Sequence, residues 1–272
     1  MKTSSKPAPT KAEPSKTAAP RPNTRATAQK TGAHTKALLD ATRTLSKTLT
    51  KMRFAAPVAY VYNPLEYASA MVEAYIERHA HLGTRYLLLG MNPGPFGMAQ
   101  TGIPFGEVNI VKDWLKIDAP VGKPAREHPK RPIVGLACTK SEVSGKRLWG
   151  AIRAKYPEPK SFFERAFVAN YCPLLFVDEG GRNLTPDKLP KSERLPLEAA
   201  CDAHLQALVA ALQPKCVIGV GQYAANRAEK ALPEGTKIAV LPHPSPASPA
   251  ANRGWEALAV NALGQAGIRD LL

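Results

Sequence analysis

At 272 residues, with 44% hydrophobic and 22% charged side chains, the chain is long enough for a sizeable core and too mixed for a fibrous or low-complexity protein. No apolar run approaches the ~20 residues of a membrane-spanning helix, and four cysteines without a C-x-x-C pair lend no support to zinc or iron–sulfur ligation. Of the formal net charge of +15, residues 1–53 hold +10, eight Lys and four Arg against Glu13 and Asp40, which leaves the rest only mildly basic.

Residues 1–34 are rich in Lys, Pro, Ala, Thr and Ser and almost devoid of large apolar side chains. Such a segment cannot offset its ordering entropy, so it is expected to be a disordered basic arm. Its charge suits a polyanion such as nucleic acid, although a solubilising tail has the same composition. The many prolines argue against a targeting helix, and the lack of an apolar stretch argues against a secretory signal. Free thiols without such a signal point to a reducing, intracellular compartment, the bacterial cytoplasm or a eukaryotic nucleus.

Leu38, Leu39, Leu45, Leu49 and Met52 recur at helical spacing and predict a helix over 35–53. A second helix is expected from Pro64, in its first turn, to His81. Tyr86–Leu89 is an apolar run that reads as a buried strand, followed by a Gly/Pro-rich loop over 90–106 and a helix over 107–117. Residues 118–145 read as loop, with a basic cluster of Lys123, Arg126, His128, Lys130 and Arg131, and a short helix is expected over 147–154. A second strand, Ala166–Asn170, precedes a polar loop at 178–192 and a long helix over 193–212 that has Pro196 in its first turn and is stopped by Pro214. Cys216–Val220 and Ile238–Leu241 are the third and fourth strands, separated by a helix over 223–231, and a last helix spans 250–266. Short, continuously apolar strands alternating with helices predict one three-layer α/β/α domain over 35–272, built on a central, mostly parallel four-stranded sheet.

Five glycines and three prolines in the seventeen residues Gly90–Gly106 exclude a regular element there. The loop carries no charge, a few polar side chains (Asn92, Gln100, Thr101) and two aromatics, Phe96 and Phe105. That composition suits a pocket for a flat, neutral, hydrogen-bonding ligand. In a parallel sheet all carboxyl ends lie on one edge, so Asn92, Asn170 and His243, each at or just past a strand end, can share a crevice. Taken alone, Asn92 and Asn170 are equally good turn residues, Phe96 reads best as core, and Gln100 and Thr101 read as braces of the loop. Ser245 lies beside His243, but no G-x-S-x-G elbow supports acyl transfer. Gly145-Lys146-Arg147 lacks the preceding glycine of a phosphate-binding loop.

Two longer stretches are more specific. Gly90-Met91-Asn92-Pro93-Gly94-Pro95-Phe96-Gly97-Met98-Ala99-Gln100-Thr101-Gly102 with Pro104-Phe105-Gly106, and His243-Pro244-Ser245-Pro246 with Asn252-Arg253-Gly254-Trp255, resemble the two signature motifs of the single-strand-selective monofunctional uracil-DNA glycosylases. Tyr62–Ala68, Ser141–Gly150 and Asn170–Leu174 are similar to further segments of that family in the same order, so the resemblance spans about 56–268.

The resemblance implies an enzyme that hydrolyses the N-glycosidic bond of uracil in DNA and leaves an abasic site. Asn92 would position the attacking water and His243 would stabilise the departing base. Phe105 would stack on the extruded base, Asn170 would hydrogen-bond its edge, and Met91, Gly94 and Met98 would line the pocket. Ser245, Arg253, Lys123 and Lys146 would contact the DNA. The family needs no metal or cofactor, and a monomer acting on single- and double-stranded DNA away from any membrane is expected. One position departs from the pattern: animal members usually carry a basic residue in the wedge after His-Pro-Ser-Pro, and here it is Ala247. A non-catalytic nucleic-acid-binding protein and a hydrolase of free nucleosides remain as alternatives.

Overall fold

The computed structural model describes Met1 and residues 32–272. All but the end of the expected arm therefore lies outside the described residues; at that end, Ala33 already opens the first helix. In chain order the elements are α1 (Ala33–Thr50), β1 (Tyr60–Tyr62), α2 (Pro64–Tyr67), α3 (Ser69–His79), β2 (Tyr86–Gly90), α4 (Met98–Thr101) and α5 (Val108–Ile110). After them come α6 (Val143–Lys155), α7 (Pro159–Phe163), β3 (Ala166–Asn170), β4 (Leu175–Val177), β5 (Asn183–Leu184) and α8 (Lys191–Leu212). The chain ends with β6 (Cys216–Val220), α9 (Gln222–Ala231), β7 (Ile238–Leu241), α10 (Pro249–Asn252) and α11 (Trp255–Gln265).

The central sheet runs β3-β2-β6-β7, and every neighbouring pair is parallel. All five residues of β2, of β3 and of β6 are buried, as strands covered on both faces by helices must be. The chain places β3 on one side of β2 and then crosses to β6 on the other side. The switch point therefore falls at the carboxyl end of β2, where open α/β sheets form their ligand crevice.

The expected strands are present and the helices differ in detail. A second, antiparallel sheet, β1-β4-β5, adds to the expected elements; β5 falls in the polar loop expected over 178–192, and β1 and β4 in stretches for which no element is expected. The helix expected over 64–81 is interrupted at Ala68, and the one over 107–117 becomes a π turn at Val111–Leu115. The helix expected over 250–266 breaks between α10 and α11, where Gly254 takes φ 144°. The long helix starts at Lys191, two residues before the expected start, so Pro196 lies inside it.

The core beside the sheet is aromatic: Trp114, Trp149, Phe162, Phe163 and Tyr75 pack edge to face or tilted, with Trp114 and Phe163 near-parallel. His79 belongs to it, stacked on Phe163 with ring centroids 3.8 Å apart, and its Nε2 is buried without a partner. Burial lowers its pKa to about 3. The unfolded chain takes up this proton below pH ~6.5 and the native state does not, so stability falls as pH drops through that range. Between pH 7.5 and 5 this group alone accounts for about 2 kcal/mol. In His79→Phe, the unfolding free energy relative to wild type is expected to improve by about that amount over the same interval. Urea denaturation at the two pH values measures it, and an unchanged difference would exclude the buried neutral histidine.

Candidate active site

β2 and β3 are aligned so that Gly90 pairs with Asn170. This register sets the Asn170 side chain beside the start of the 90–106 loop. Gly90 has to be glycine because a Cβ there would collide with Asn170 Oδ1 and with the edge of the Phe105 ring. An amide and an aromatic face are thereby brought over one bare stretch of backbone. Asn170 Nδ2 lies 3.2 Å from Met98 Sδ, and Oδ1 is buried with no protein donor.

Phe105 takes φ +54°, a left-handed conformation that non-glycine residues rarely adopt. It is held there from both sides. Trp149 Nε1 donates to Pro104 O at 3.1 Å, and Glu107 N donates to Phe105 O at 2.7 Å. The α6 backbone at Gly145 passes so close to Phe105 O that a side chain at 145 would strike it. Over-determined strain of this kind clusters at ligand sites. Gln100 and Thr101 brace the loop, as their types suggest. Gln100 Nε2 donates to Pro95 O and Pro132 O, its Oε1 accepts from Val134 N and Gly135 N, and Thr101 Oγ1 donates to Gly97 O and Gly106 O.

His243 follows β7, its ring 6.2 Å from that of Phe105. Burial lowers its pKa below the ordinary 6.5, so it is a neutral imidazole at neutral pH. Asn92 Nδ2 is buried with no protein acceptor. Met91, Asn92, Gly94, Phe105, Asn170, His243 and Ser245 line a single cleft of about 360 Å³. Met98 lies behind it, against Asn170. Lys123, Lys146 and Arg253 do not line the cleft: all three are exposed, and Lys123 pairs with Glu127 at 3.0 Å beside a different groove.

Phe96 is not the core residue its type suggested. It is only half-buried, with Lys140 Nζ 5.0 Å and Arg131 5.2 Å from its ring centroid, because cations distant in sequence fold over its face. Residue types alone do not point to Glu142, Ser144, Asn183 and Thr185, which also line the cleft. Glu142 lies against Gly94 and accepts a hydrogen bond from Phe96 N at 3.2 Å, and burial pushes its carboxyl pKa up. The stretch that carries it, Ser141–Gly150, stood out in the sequence, but nothing in its spacing pointed to the loop fifty residues earlier.

A family model described as the uracil DNA glycosylase superfamily matches residues 78–263. The single-strand selective monofunctional uracil DNA glycosylase of Mus musculus is 49% identical over 232 residues, covering 84% of this chain and 83% of that protein. The Bos taurus protein of the same name is 48% identical, covering 84% and 85%. In fold, the chain is similar to the crystal structure of wild-type SMUG2 from Pedobacter heparinus, with a TM-score of 0.60 at 17% identity over 84% of this chain and 96% of that one. Signature loops at the ends of β2 and β7, a matching family model and relatives at this identity lead to one conclusion: the chain belongs to the single-strand selective monofunctional uracil DNA glycosylases of the uracil DNA glycosylase superfamily.

Proposed function

We propose that this protein hydrolyses the N-glycosidic bond of uracil in DNA, with Asn92 and His243 as its catalytic residues. The observation that carries this reading is the joint presence of Asn92, Phe105, Asn170 and His243 on one cleft at the switch point of the sheet. Uracil turned out of the strand stacks on Phe105, which offsets part of the few kcal/mol that extrusion costs. Asn170 reads its edge: Oδ1 accepts from N3–H and Nδ2 donates to O4, whereas cytosine presents the opposite pattern.

The bond from C1′ to N1 breaks through an oxocarbenium-like state, and its electron pair leaves with the base. His243 donates a hydrogen bond to the uracil as that charge develops, while Asn92 holds the water that adds to C1′. The water proton passes to solvent. Such a reaction asks for placed donors rather than a strong base, and donors preorganised for developing charge supply much of the acceleration. A neutral imidazole suits the role because it adds no charge to the pocket before the base becomes anionic.

The same cleft is assigned to related bases, namely 5-hydroxymethyluracil, hypoxanthine and xanthine. Ser245, Arg253, Lys123, Lys146 and the basic segment 1–34 are assigned to contacts with the DNA, which is bound by a monomer inside the cell. Ala247 is exposed and neutral, so opening of a duplex by the wedge is expected to be weak.

One panel tests the reading. Oligonucleotides carrying each base, single- and double-stranded, are incubated with the protein beside free deoxyuridine, and abasic sites and released base are quantified. Excision of uracil from the strand, with free deoxyuridine untouched, is the expected result. Turnover of the free nucleoside alone would make the chain a nucleoside hydrolase. Binding without release would make it a non-catalytic reader of DNA.

A further inference from the structure

The loop that carries His243 makes few hydrogen bonds of its own: Ser248 N donates to Ser245 O and Ala247 N to Ser245 Oγ, each at 3.1 Å. Pro242, Pro244, Pro246 and Pro249 make up four of the eight residues 242–249, and none of them has an N–H to donate. Most backbone carbonyls of this stretch must therefore find donors elsewhere. Those next to His243 find them in side chains. Trp255 Nε1 donates to Pro242 O at 2.7 Å, on the strand side of His243. On the other side Arg147 Nη1 donates to Pro244 O at 3.1 Å and to Ser245 O at 3.3 Å. Arg147 Nη2 donates to Asn252 Oδ1 at 2.8 Å, and Asn252 Nδ2 donates in turn to Pro246 O at 2.9 Å.

Arg147 stands on α6, a rigid support. The two residues that follow it, Leu148 and Trp149, are completely buried. The same helix touches the other half of the site, through Gly145 and Trp149 at Pro104–Phe105 and through Glu142, just before its first turn, at Phe96. One helix thus spans the two signature loops, which lie about 140 residues apart in the chain. A planar guanidinium fits this role because its rigid fork reaches three acceptors, which a lysine ammonium on a flexible stem does not hold in fixed geometry.

We propose that Arg147 is a positioning residue for His243, holding the Pro244 and Ser245 carbonyls so that the imidazole stays within reach of the departing base. The inference rests on the catalytic reading of His243 above. Arg147 acts through placement, since burial is what sets the ionisation of His243. Misplacement of a reacting group by about 1 Å can cost ~10²-fold in rate.

The test is single-turnover excision of uracil from an oligonucleotide at saturating enzyme, alongside the affinity for a uracil-free strand at several salt concentrations. Arg147→Ala is expected to lower the rate about 10- to 100-fold, with affinity changed by less than about threefold and the salt slope unchanged. Arg147→Lys should recover part of the loss, and Asn252→Ala should lose less than Arg147→Ala. The decisive comparison is Arg147→Ala in a His243→Ala background, where the double variant should be no slower than His243→Ala alone.

A wild-type rate in Arg147→Ala beside a slow His243→Ala would overturn this proposal and leave the catalytic reading standing. A wild-type rate in His243→Ala would instead overturn the catalytic reading. Losses that multiply in the double variant would show that Arg147 does not act through His243. A loss confined to affinity, with the salt slope lower by about one, would make Arg147 a phosphate contact. If Arg147→Ala fails to fold, Arg147→Lys and Asn252→Ala carry the same comparison.

Discussion

Asn92→Ala is expected to slow single-turnover release of uracil by at least ~10²-fold while leaving affinity for the strand nearly unchanged. The attacked carbon carries its charge only fleetingly, so a water that is not already aligned loses to recombination of the sugar and base. Asn92 is suited to alignment because its amide can orient a water without competing as a nucleophile. Its Nδ2 is buried and donates to no protein group, which leaves it available to a water or ligand that enters the cleft. The cost of leaving such a donor unpaired is accepted in folded proteins mainly where function requires it. A rate within threefold of wild type, at saturating enzyme, would remove Asn92 from the mechanism.

His243→Ala is expected to lose ~10²–10³-fold, the usual penalty for deleting one donor aimed at developing negative charge. Here the charge is that of the departing uracil anion, and the cleft is sheltered enough from water for a hydrogen bond to count heavily. Because burial lowers the pKa of His243, its titration lies on the acid side of 6.5. The wild-type rate should therefore show no inflection from this group at higher pH, and the imidazole resonances should titrate below 6.5 in the free protein. A midpoint above 6.5 would mean a cationic histidine and a different electrostatic balance at the leaving base.

The sequence displays the central sheet clearly because each of its strands is a compact apolar run bounded by Gly, Pro or polar residues. Tyr60–Tyr62, Leu175–Val177 and Asn183–Leu184 are two or three residues long, too short for any periodicity to register the second sheet. The main pocket residues were readable because each lies at or just beyond a strand end, or within the loop that follows one, and a parallel sheet turns chain position into spatial proximity. Glu142 and Arg147 follow no such rule. They reach the site from a helix, across separations that only the folded chain closes. The surroundings of Phe96 are hidden for the same reason, since its cationic neighbours come from residues 131 and 140.

The order of the sheet has a further consequence. β7 and β3 are the two edge strands, each hydrogen-bonded to one neighbour, but all five residues of β3 are buried whereas β7 leaves Val240 exposed and Ile238 only half-buried. Elements with less buried apolar surface open at lower free energy than fully buried ones. A partial opening that peels β7 away would carry His243 off while Phe105, Asn170 and Asn92 stay in place. Base recognition and bond cleavage are thus secured by layers of unequal durability: under heat or denaturant this protein should lose the ability to cut before it loses the ability to hold a uracil.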